Sequence, residues 1–206
     1  TEIYSAHGYS LVKLPHIKKH EIADDLAVLL PTSGTTGSKK MVRLSYENID
    51  VNAKSIVEYL EIDSDSKTIS SLPMHYSYGL SVINTHLMSG GLIVLTAYSV
   101  LQKQFWSKLQ THRVTSLSGV PYTYELMEKL GFMDMDLPHL KVFCQAGGKL
   151  SDVLNQKLAK YAIESAKRFY VMYGTTEASP RISYLPYAFA LQKCGSIGIS
   201  IPGGEI

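Results

Sequence analysis

The sequence predicts an α/β domain, a mostly parallel β-sheet flanked by helices. Short apolar runs alternate with segments of helical periodicity from residue 26 onward, an alternation typical of parallel strands that are joined by helices. Turns rich in glycine and small polar residues follow the predicted strands. Because ligands of such folds bind at the carboxyl ends of the strands, we expect these turns to carry the functional residues.

The composition argues against two classes of partner. The 206 residues are 45% apolar, and 20 basic against 18 acidic residues leave a net charge of +2. This balance provides no positively charged surface for nucleic acid, and no apolar run reaches the length of a membrane span. The two cysteines, Cys144 and Cys194, fit no metal-binding spacing. We expect a cytoplasmic globular protein with reduced cysteines, no nucleic-acid partner and no membrane span.

The predicted elements follow in chain order. Residues 1–25 are expected to form one strand and a linker, and residues 26–206 the α/β core. Ser45 and Ser151 are expected to cap helices, because a serine hydroxyl accepts a hydrogen bond from a free amide of the first turn. The pattern predicts strands at residues 26–30, 68–72, 92–96, 114–117, 140–144 and 169–172. It predicts helices at residues 45–60, 102–112, 122–130 and 151–166, and a further helix that ends at residue 87.

A glycine-rich segment follows the first predicted strand. Gly34 and Gly37 permit positive φ and let backbone N–H groups approach an anion closely, and Lys39 or Lys40 can supply positive charge. One interpretation is a phosphate-binding loop between a strand and a nearby helix, and the other is a flexible polar turn. The glycine spacing is not that of a P-loop, and Met41 stands where Ser or Thr would bind Mg²⁺. The hydroxyls available for phosphate belong to Thr32, Ser33, Thr35 and Thr36.

Residues 173–177, Tyr-Gly-Thr-Thr-Glu, directly follow another predicted strand. Tyr173 could stack on a base, and Gly174 would permit a close backbone approach. Glu177 could bind a Mg²⁺ ion that takes its other oxygen ligands from phosphate and water. The alternative is a Tyr-Gly turn followed by a helix N-terminus, with Thr and Glu as its caps.

Four motifs, in order, resemble signatures of the adenylate-forming enzymes, which include acyl-CoA synthetases, peptide-synthetase adenylation domains and luciferases. Residues 32–40 resemble the signature Thr-Ser-Gly-(Ser/Thr)-Thr-Gly-x-Pro-Lys-Gly, and residues 173–177 match Tyr-Gly-x-Thr-Glu. Residues 146–150 resemble the Gly-Gly-x-x-Leu loop on the adenine side, and residues 195–203 resemble Gly-Ser-x-Gly-x-x-x-Pro-Gly. The resemblance implies the core of the large domain of such an enzyme, with an AMP-binding α/β core in residues 26–206.

The resemblance also implies cofactors and residue roles. ATP and Mg²⁺ would be the cofactors, with Tyr173 beside adenine, Thr176 on the α-phosphate and Glu177 on Mg²⁺. Lys40 falls on the signature lysine, so Lys40, Thr176 and Glu177 would act in catalysis. The nucleotide-binding set would be Thr32, Ser33, Gly34, Thr35, Thr36, Gly37, Ala146, Gly147, Gly148, Tyr173, Gly174 and Thr175.

Residues 73–80, Pro-Met-His-Tyr-Ser-Tyr-Gly-Leu, resemble the family segment PLFHSYGL, which lines the carboxylate pocket. His75 and Tyr76 take the places of its aromatic–His pair in swapped order, unless His75 is only a packed or solvated side chain. Gly79 stands where amino-acid-activating members carry an aspartate for the substrate ammonium. Because a desolvated ammonium would lack its partner here, we expect a carboxylic acid without an α-amino group. Further pocket residues are expected at Val120 and Gln145.

The reaction implied by the resemblance has two halves. A carboxylate attacks the α-phosphorus of ATP to give acyl-AMP and pyrophosphate, and the thiol of coenzyme A or of a carrier-protein pantetheine then displaces AMP. The family's later ribose-binding Asp and its small C-terminal domain have no counterpart in these 206 residues, so we expect a truncated core that adenylates weakly or not at all. Two alternatives remain open. One is a non-catalytic nucleotide-binding or carrier-docking module, favoured by Lys39 and Met41, and the other is an amino-acid-activating domain, disfavoured by Gly79.

Overall fold

A computed structural model describes residues 2–6, 9–13, 21–32 and 40–206 of the chain. The strands in these ranges are β1 (Glu2–Ala6), β2 (Tyr9–Val12), β3 (Leu26–Pro31), β4 (Met41–Ser45), β5 (Lys67–Ile69), β6 (Leu92–Val94), β7 (Ser116–Gly119), β8 (Val142–Gln145), β9 (Arg168–Tyr173), β10 (Ser183–Leu185) and β11 (Ile199–Ser200). The α-helices are α1 (Tyr46–Leu60), α2 (Ser77–Met88), α3 (Lys103–Thr111), α4 (Pro121–Lys129) and α5 (Asp152–Glu164). Across the described ranges, no helix combines the length and the apolar character needed to cross a membrane.

The main sheet has seven strands in the order β11–β10–β9–β8–β7–β5–β6. The strands from β5 to β9 pair in parallel, and β10 and β11 extend one edge in antiparallel fashion. Parallel neighbours need a crossover connection, and each of the helices α2 to α5 provides one between consecutive parallel strands. The prediction of an α/β domain with a mostly parallel sheet is therefore confirmed.

Helices cover both faces of this sheet, and the alternation of side chains along β8 and β9 shows how. Phe143 and Phe169 lie in the larger core cluster with side chains of α3, α4 and α5, whereas Cys144 and Tyr170 lie in a second cluster with side chains of α1 and α2. Successive residues of a strand point to opposite faces, so the central strands are buried on both. Phe143 stacks on Phe169 at a ring-centroid distance of 4.9 Å, and burial of each such side chain contributes about 1.5–3 kcal/mol.

Two predictions about the first part of the chain were wrong. Residues 1–25 contain two strands, β1 and β2, which pair as an antiparallel hairpin. The glycine-rich segment was predicted to lie between a strand and a nearby helix. It connects β3 to a second strand, β4, which pairs antiparallel with β3 in a sheet of their own, and α1 follows β4 directly. Leu30 of β3 and Leu44 of β4 are 4% and 3% exposed, and their burial favours a second strand between the glycine-rich segment and α1.

Other local predictions were confirmed. Ser45 caps α1, where its hydroxyl accepts a hydrogen bond from the Asn48 N–H at 3.1 Å and the Asn48 side chain accepts one from the Ser45 N–H. The Ser151 hydroxyl accepts a hydrogen bond from the Leu154 N–H at the start of α5. The short strands β10 and β11, of three and two residues, were not predicted, because so few residues carry no detectable alternation.

Candidate functional site

A cavity of about 260 Å³ lies where the turns after β8 and β9 meet the N-terminal end of α2. We call it the motif cavity. It lies at the carboxyl ends of two parallel strands, where ligands of α/β folds bind. The predicted site residues that line it are Thr32, Tyr76, Ala146, Gly147, Gly174, Thr175, Thr176 and Glu177.

A second cavity of about 450 Å³, the adjoining cavity, shares Gly147 and Gly174 with the motif cavity. Gln145, Gly148 and Tyr173 are among the residues that line it. The side chain of Gln145 is buried and donates a hydrogen bond to the Gly148 carbonyl at 2.7 Å. Gln145 therefore supports the turn and also lines the adjoining cavity.

The predicted residues of the glycine-rich segment are only partly described. Ser33, Gly34, Thr35, Thr36 and Gly37 lie outside the described residues. The two ends of the segment are joined, because the Thr32 N–H donates a hydrogen bond to the Lys40 carbonyl at 3.4 Å. Thr32 lines the motif cavity, so the segment begins and ends beside it, and Lys40 itself is exposed.

The predicted acid-pocket residues differ in whether they reach the motif cavity. Tyr76 is half-buried and directs its hydroxyl to Gly147, where a Cβ atom would lie 2.5 Å from that oxygen. His75 is exposed, and Val120 packs beside Gly147. Gly79 lies buried within α2, where its Cβ position faces the Pro73 carbonyl, and it lines neither the motif cavity nor the adjoining one. The structure thus brings Tyr76 to the motif cavity but not Gly79.

Two hydroxyls connect α2 to the Tyr-Gly-Thr-Thr-Glu turn. Ser77, the first residue of α2, is buried, and its Oγ lies 3.2 Å from Oγ1 of Thr176. Gly174 lets the turn pass close to the backbone of Pro180. The turn is therefore held at Thr176 by the side chain of Ser77 and at Gly174 by the close backbone of Pro180.

Asn52 of α1 fixes the segment that follows this turn. It is 6% exposed, its Nδ2 donates hydrogen bonds to the Arg181 and Ala178 carbonyls at 3.0 and 3.3 Å, and its Oδ1 accepts one from the Arg181 N–H at 3.4 Å. Sequence reasoning missed Asn52, although a polar residue on the same face of α1 as Ile49 and Ile56 was a usable signal. It also missed Ser77, Tyr78 and Arg181, for which the sequence carried no comparable signal.

Replacing Asn52 by alanine is expected to lower the free energy of unfolding by about 2 kcal/mol, because it leaves the buried amide and carbonyl of Arg181 without partners. Urea unfolding of the variant checks this value. Lys54→Ala on the same helix is the matched control, since Lys54 is exposed and its ion pair with Asp50 lies on the surface. We expect it to change stability by less than about 0.5 kcal/mol. Equal stability of the two variants would contradict the assigned role of Asn52.

Burial shifts the pKa values of several ionisable groups in the core toward the uncharged form. It raises the pKa of the Cys144 thiol to about 12, although the nearby Arg181 acts in the opposite direction. Burial also raises the pKa of Tyr78 far above its usual range and lowers that of His86. Among the residues that line the motif cavity, Glu177 and Arg181 have charged side chains.

Glu177 fits the role of a magnesium ligand that acts together with a nucleotide. It is exposed and lines the motif cavity, and none of the ion pairs within the described residues includes it. The described residues contain no group of three or more His, Cys, Asp or Glu side chains that could hold a metal. A single carboxylate suits Mg²⁺ when phosphate and water supply the remaining oxygens.

Solved structures with the same fold include O-succinylbenzoate coenzyme A synthetase from Bacillus subtilis in complex with AMP. It is 26% identical to this chain with a TM-score of 0.74, and the match covers 86% of this chain and 36% of that one. The same enzyme in complex with ATP and magnesium ion gives 25% identity and a TM-score of 0.73, over 89% of this chain and 38% of that one.

Curated relatives are similar over most of this chain. A feruloyl-CoA synthase of Amycolatopsis sp is 27% identical over 85% of the chain and 35% of its own length. A long-chain-fatty-acid–CoA ligase of Bacillus subtilis strain 168 is also 27% identical, over 92% of the chain and 34% of its own length. The chain thus spans about a third of the length of these relatives. A family model described as AMP-binding enzyme matches residues 4–206, and the chain therefore belongs to the AMP-binding enzyme family.

Proposed function

We propose that the protein to which this chain belongs activates a carboxylic acid with ATP and then transfers the acyl group to a thiol. The observation that carries the proposal is the motif cavity, where Thr176 and Glu177 meet the Gly147 turn and Tyr76. The relatives support it, because their names are those of CoA synthases and ligases. The bound molecules of the similar structures, AMP in one and ATP with magnesium in another, support a nucleotide in these cavities.

The two cavities provide separate places for the parts of a nucleotide. The adjoining cavity has room for the base beside Tyr173, between the strand end and the turn at Gly147 and Gly148. The motif cavity would take the phosphates, because Thr175 and Thr176 offer hydroxyl donors there. A nucleotide would cross from one cavity to the other past Gly147 and Gly174, which line both.

In the proposed reaction this chain contributes positioning and charge. Thr176 donates a hydrogen bond to an oxygen of the α-phosphate, and Ser77 holds the Thr176 hydroxyl in place at 3.2 Å. Lys40 and residues 33–37 would complete the phosphate site from the hairpin. A Mg²⁺ ion held by Glu177 would neutralise the developing negative charge on the phosphates. Electrostatic stabilisation of this kind is usually the largest contribution of an enzyme to phosphoryl chemistry.

The finer assignments rest on the family. We propose coenzyme A or a carrier-protein pantetheine as the thiol, since the relatives named above are CoA synthases or ligases. A cytoplasmic location remains a proposal as well, supported by the two unpaired cysteines, Cys144 and Cys194.

The test is a calorimetric titration of Mg·ATP into this chain and its Glu177→Gln variant. We expect the variant to bind Mg·ATP at least about tenfold more weakly, the loss of one charged ligand corresponding to about 1.4 kcal/mol or more. AMP titrated without magnesium should bind both proteins equally, because Glu177 is assigned to the metal.

Glu164→Gln is the matched control, since Glu164 is an exposed carboxylate at the far end of α5. It should bind Mg·ATP as the unaltered chain does. If the unaltered chain binds no nucleotide, or if Glu177→Gln binds Mg·ATP unchanged, the proposed site is wrong. A carboxylate panel with ATP and hydroxylamine, run on the full-length protein, then tests the activation step itself.

A further inference from the structure

The guanidinium of Arg181 is a buried cation at the boundary of two cavities. One is the motif cavity, and the other is a cavity of about 260 Å³ between α1, α2 and the sheet, which we call the helix cavity. Arg181 lines both. It is 4% exposed, and its Nε has no hydrogen-bond partner in the described part of the chain.

The contacts of Arg181 leave its charge without an acidic partner. Its guanidinium carbon lies 4.1 Å from the centroid of the Tyr78 ring. Tyr59 is a further neighbour, since burial raises the pKa of its hydroxyl and the charge of Arg181 acts in the opposite direction. None of the ion pairs among the described residues includes Arg181. An arginine keeps its proton at any ordinary pH, and a buried ion without a counter-ion is strongly unfavourable.

The acidic residues of the helix cavity lie at its other end. Glu61 pairs with Arg168 at 2.6 Å, and the side chains of Asp63, Asp65 and Lys141 line the same end. Arg168 begins β9 and Lys141 immediately precedes β8, whereas Arg181 lies with Cys144 and Met172 toward the carboxyl ends of the same strands. The end that contains Glu61 therefore holds three carboxylates and two cations. At the end that faces the motif cavity, Arg181 forms no ion pair with any described carboxylate.

The backbone keeps Arg181 in this place. The hydrogen bonds of Asn52 hold both its N–H and its carbonyl, so the position of its backbone is fixed by buried hydrogen bonds. The helix cavity has a mixed lining, in which hydroxyls and the buried His86 lie beside apolar side chains such as Ile56 and Val82. The hydroxyls belong to Ser66, Ser81, Thr85, Thr115, Ser116 and Ser118.

We propose that the acid activated at the motif cavity carries a second carboxylate, which binds the guanidinium of Arg181, while the rest of the acid extends into the hydroxyl-lined helix cavity. Arginine matches a carboxylate with two parallel hydrogen bonds, and the unpaired Nε is free to make one of them. The proposal rests on the proposed function, since it concerns the acid of that reaction.

The experiment measures acid binding to this chain, saturated with a non-hydrolysable ATP analogue and Mg²⁺. The probes are succinate, glutarate and phthalate, each compared with its half-amide, which has the same shape and one negative charge fewer. We expect at least one dicarboxylate to bind at least about tenfold more tightly than its half-amide. The preference for the dicarboxylate should fall below about threefold in Arg181→Met. It should be partly retained in Arg181→Lys, because lysine keeps the positive charge but cannot make two parallel hydrogen bonds to one carboxylate.

Two further measurements distinguish binding of the acid by Arg181 from binding of the phosphates and from a structural role. Arg181→Met should bind the ATP analogue as tightly as the unaltered chain, and without ligand its thermal midpoint should be unchanged or higher, because an unpaired buried charge has been removed. Weaker nucleotide binding by Arg181→Met would assign Arg181 to the phosphates. A lower thermal midpoint would assign it a structural role. Either result overturns the proposal. It is also overturned if no dicarboxylate is preferred over its half-amide. Failure of the proposed function is recognised separately, since the nucleotide itself would then not bind.

Discussion

Gly174→Ala is expected to lower the free energy of unfolding by about 3 kcal/mol or more and to remove nucleotide binding. A Cβ at this position would collide with the Pro180 carbonyl oxygen and lie 3.0 Å from the Arg181 Cα. Overpacking costs about 1–3 kcal/mol where side chains can move aside. Here the added methyl group would meet backbone atoms, which cannot move aside easily. The hydrogen bond from the Ile182 N–H to the Tyr173 carbonyl at 3.0 Å holds this backbone, and so does the side chain of Asn52.

Urea unfolding and a Mg·ATP titration measure the two effects. Gly148→Ala is the matched control, because it adds the same methyl group in the same pair of turns. Its Cβ would meet a side-chain atom, Cγ of Pro121, at 3.2 Å, and a few tenths of an ångström of movement relieves that contact, so we expect a loss of about 1 kcal/mol or less. If Gly174→Ala and Gly148→Ala lose the same stability, the close approach at Pro180 is not what selects glycine.

Gly79→Asp is expected to destabilise the chain by about 3 kcal/mol or more without creating an amino-acid site. Gly79 has no room for a side chain, because a Cβ there would strike the Pro73 carbonyl and lie 3.0 Å from the Leu72 carbonyl oxygen. A carboxylate would also be repelled by these two oxygens. The comparison with amino-acid-activating enzymes treats this position as a pocket wall, whereas in this chain it is a packing contact between α2 and the segment before it.

Denaturant midpoints and titration with a panel of amino acids test the prediction. Gly79→Ala adds the Cβ atom without the carboxylate, so it separates the steric effect from the effect of the charge. We expect it to lose most of the stability that Gly79→Asp loses. Leu87→Asp is the control on the same helix, since Leu87 is 64% exposed, and we expect it to cost less than about 1 kcal/mol. A stable Gly79→Asp variant that binds an amino acid would show that the position faces the substrate after all.

Local patterns were enough to predict the fold class and several boundaries. The alternation of apolar strands with amphipathic helices predicted the parallel sheet, because a βαβ connection follows from that order alone. Ser45 and Ser151 predicted helix starts, because a cap interacts only with residues three positions further on. The hairpin of β3 and β4 was missed, because the sequence next to the glycine-rich segment resembles a strand followed by a helix, and only the burial of Leu30 and Leu44 distinguishes the two.

By itself, the sequence determined which turns carry the motifs, and therefore that Gly147, Gly174, Thr176 and Glu177 come together, since the carboxyl ends of parallel strands meet at one edge. The tertiary structure alone decided that Gly79 packs against backbone and that Asn52 of α1 holds Arg181, which is 129 residues away. Such contacts depend on how α1 and α2 pack on the sheet. Their polar atoms are selected by the need to pair buried groups, a condition set by the whole fold and not by any short stretch of the chain.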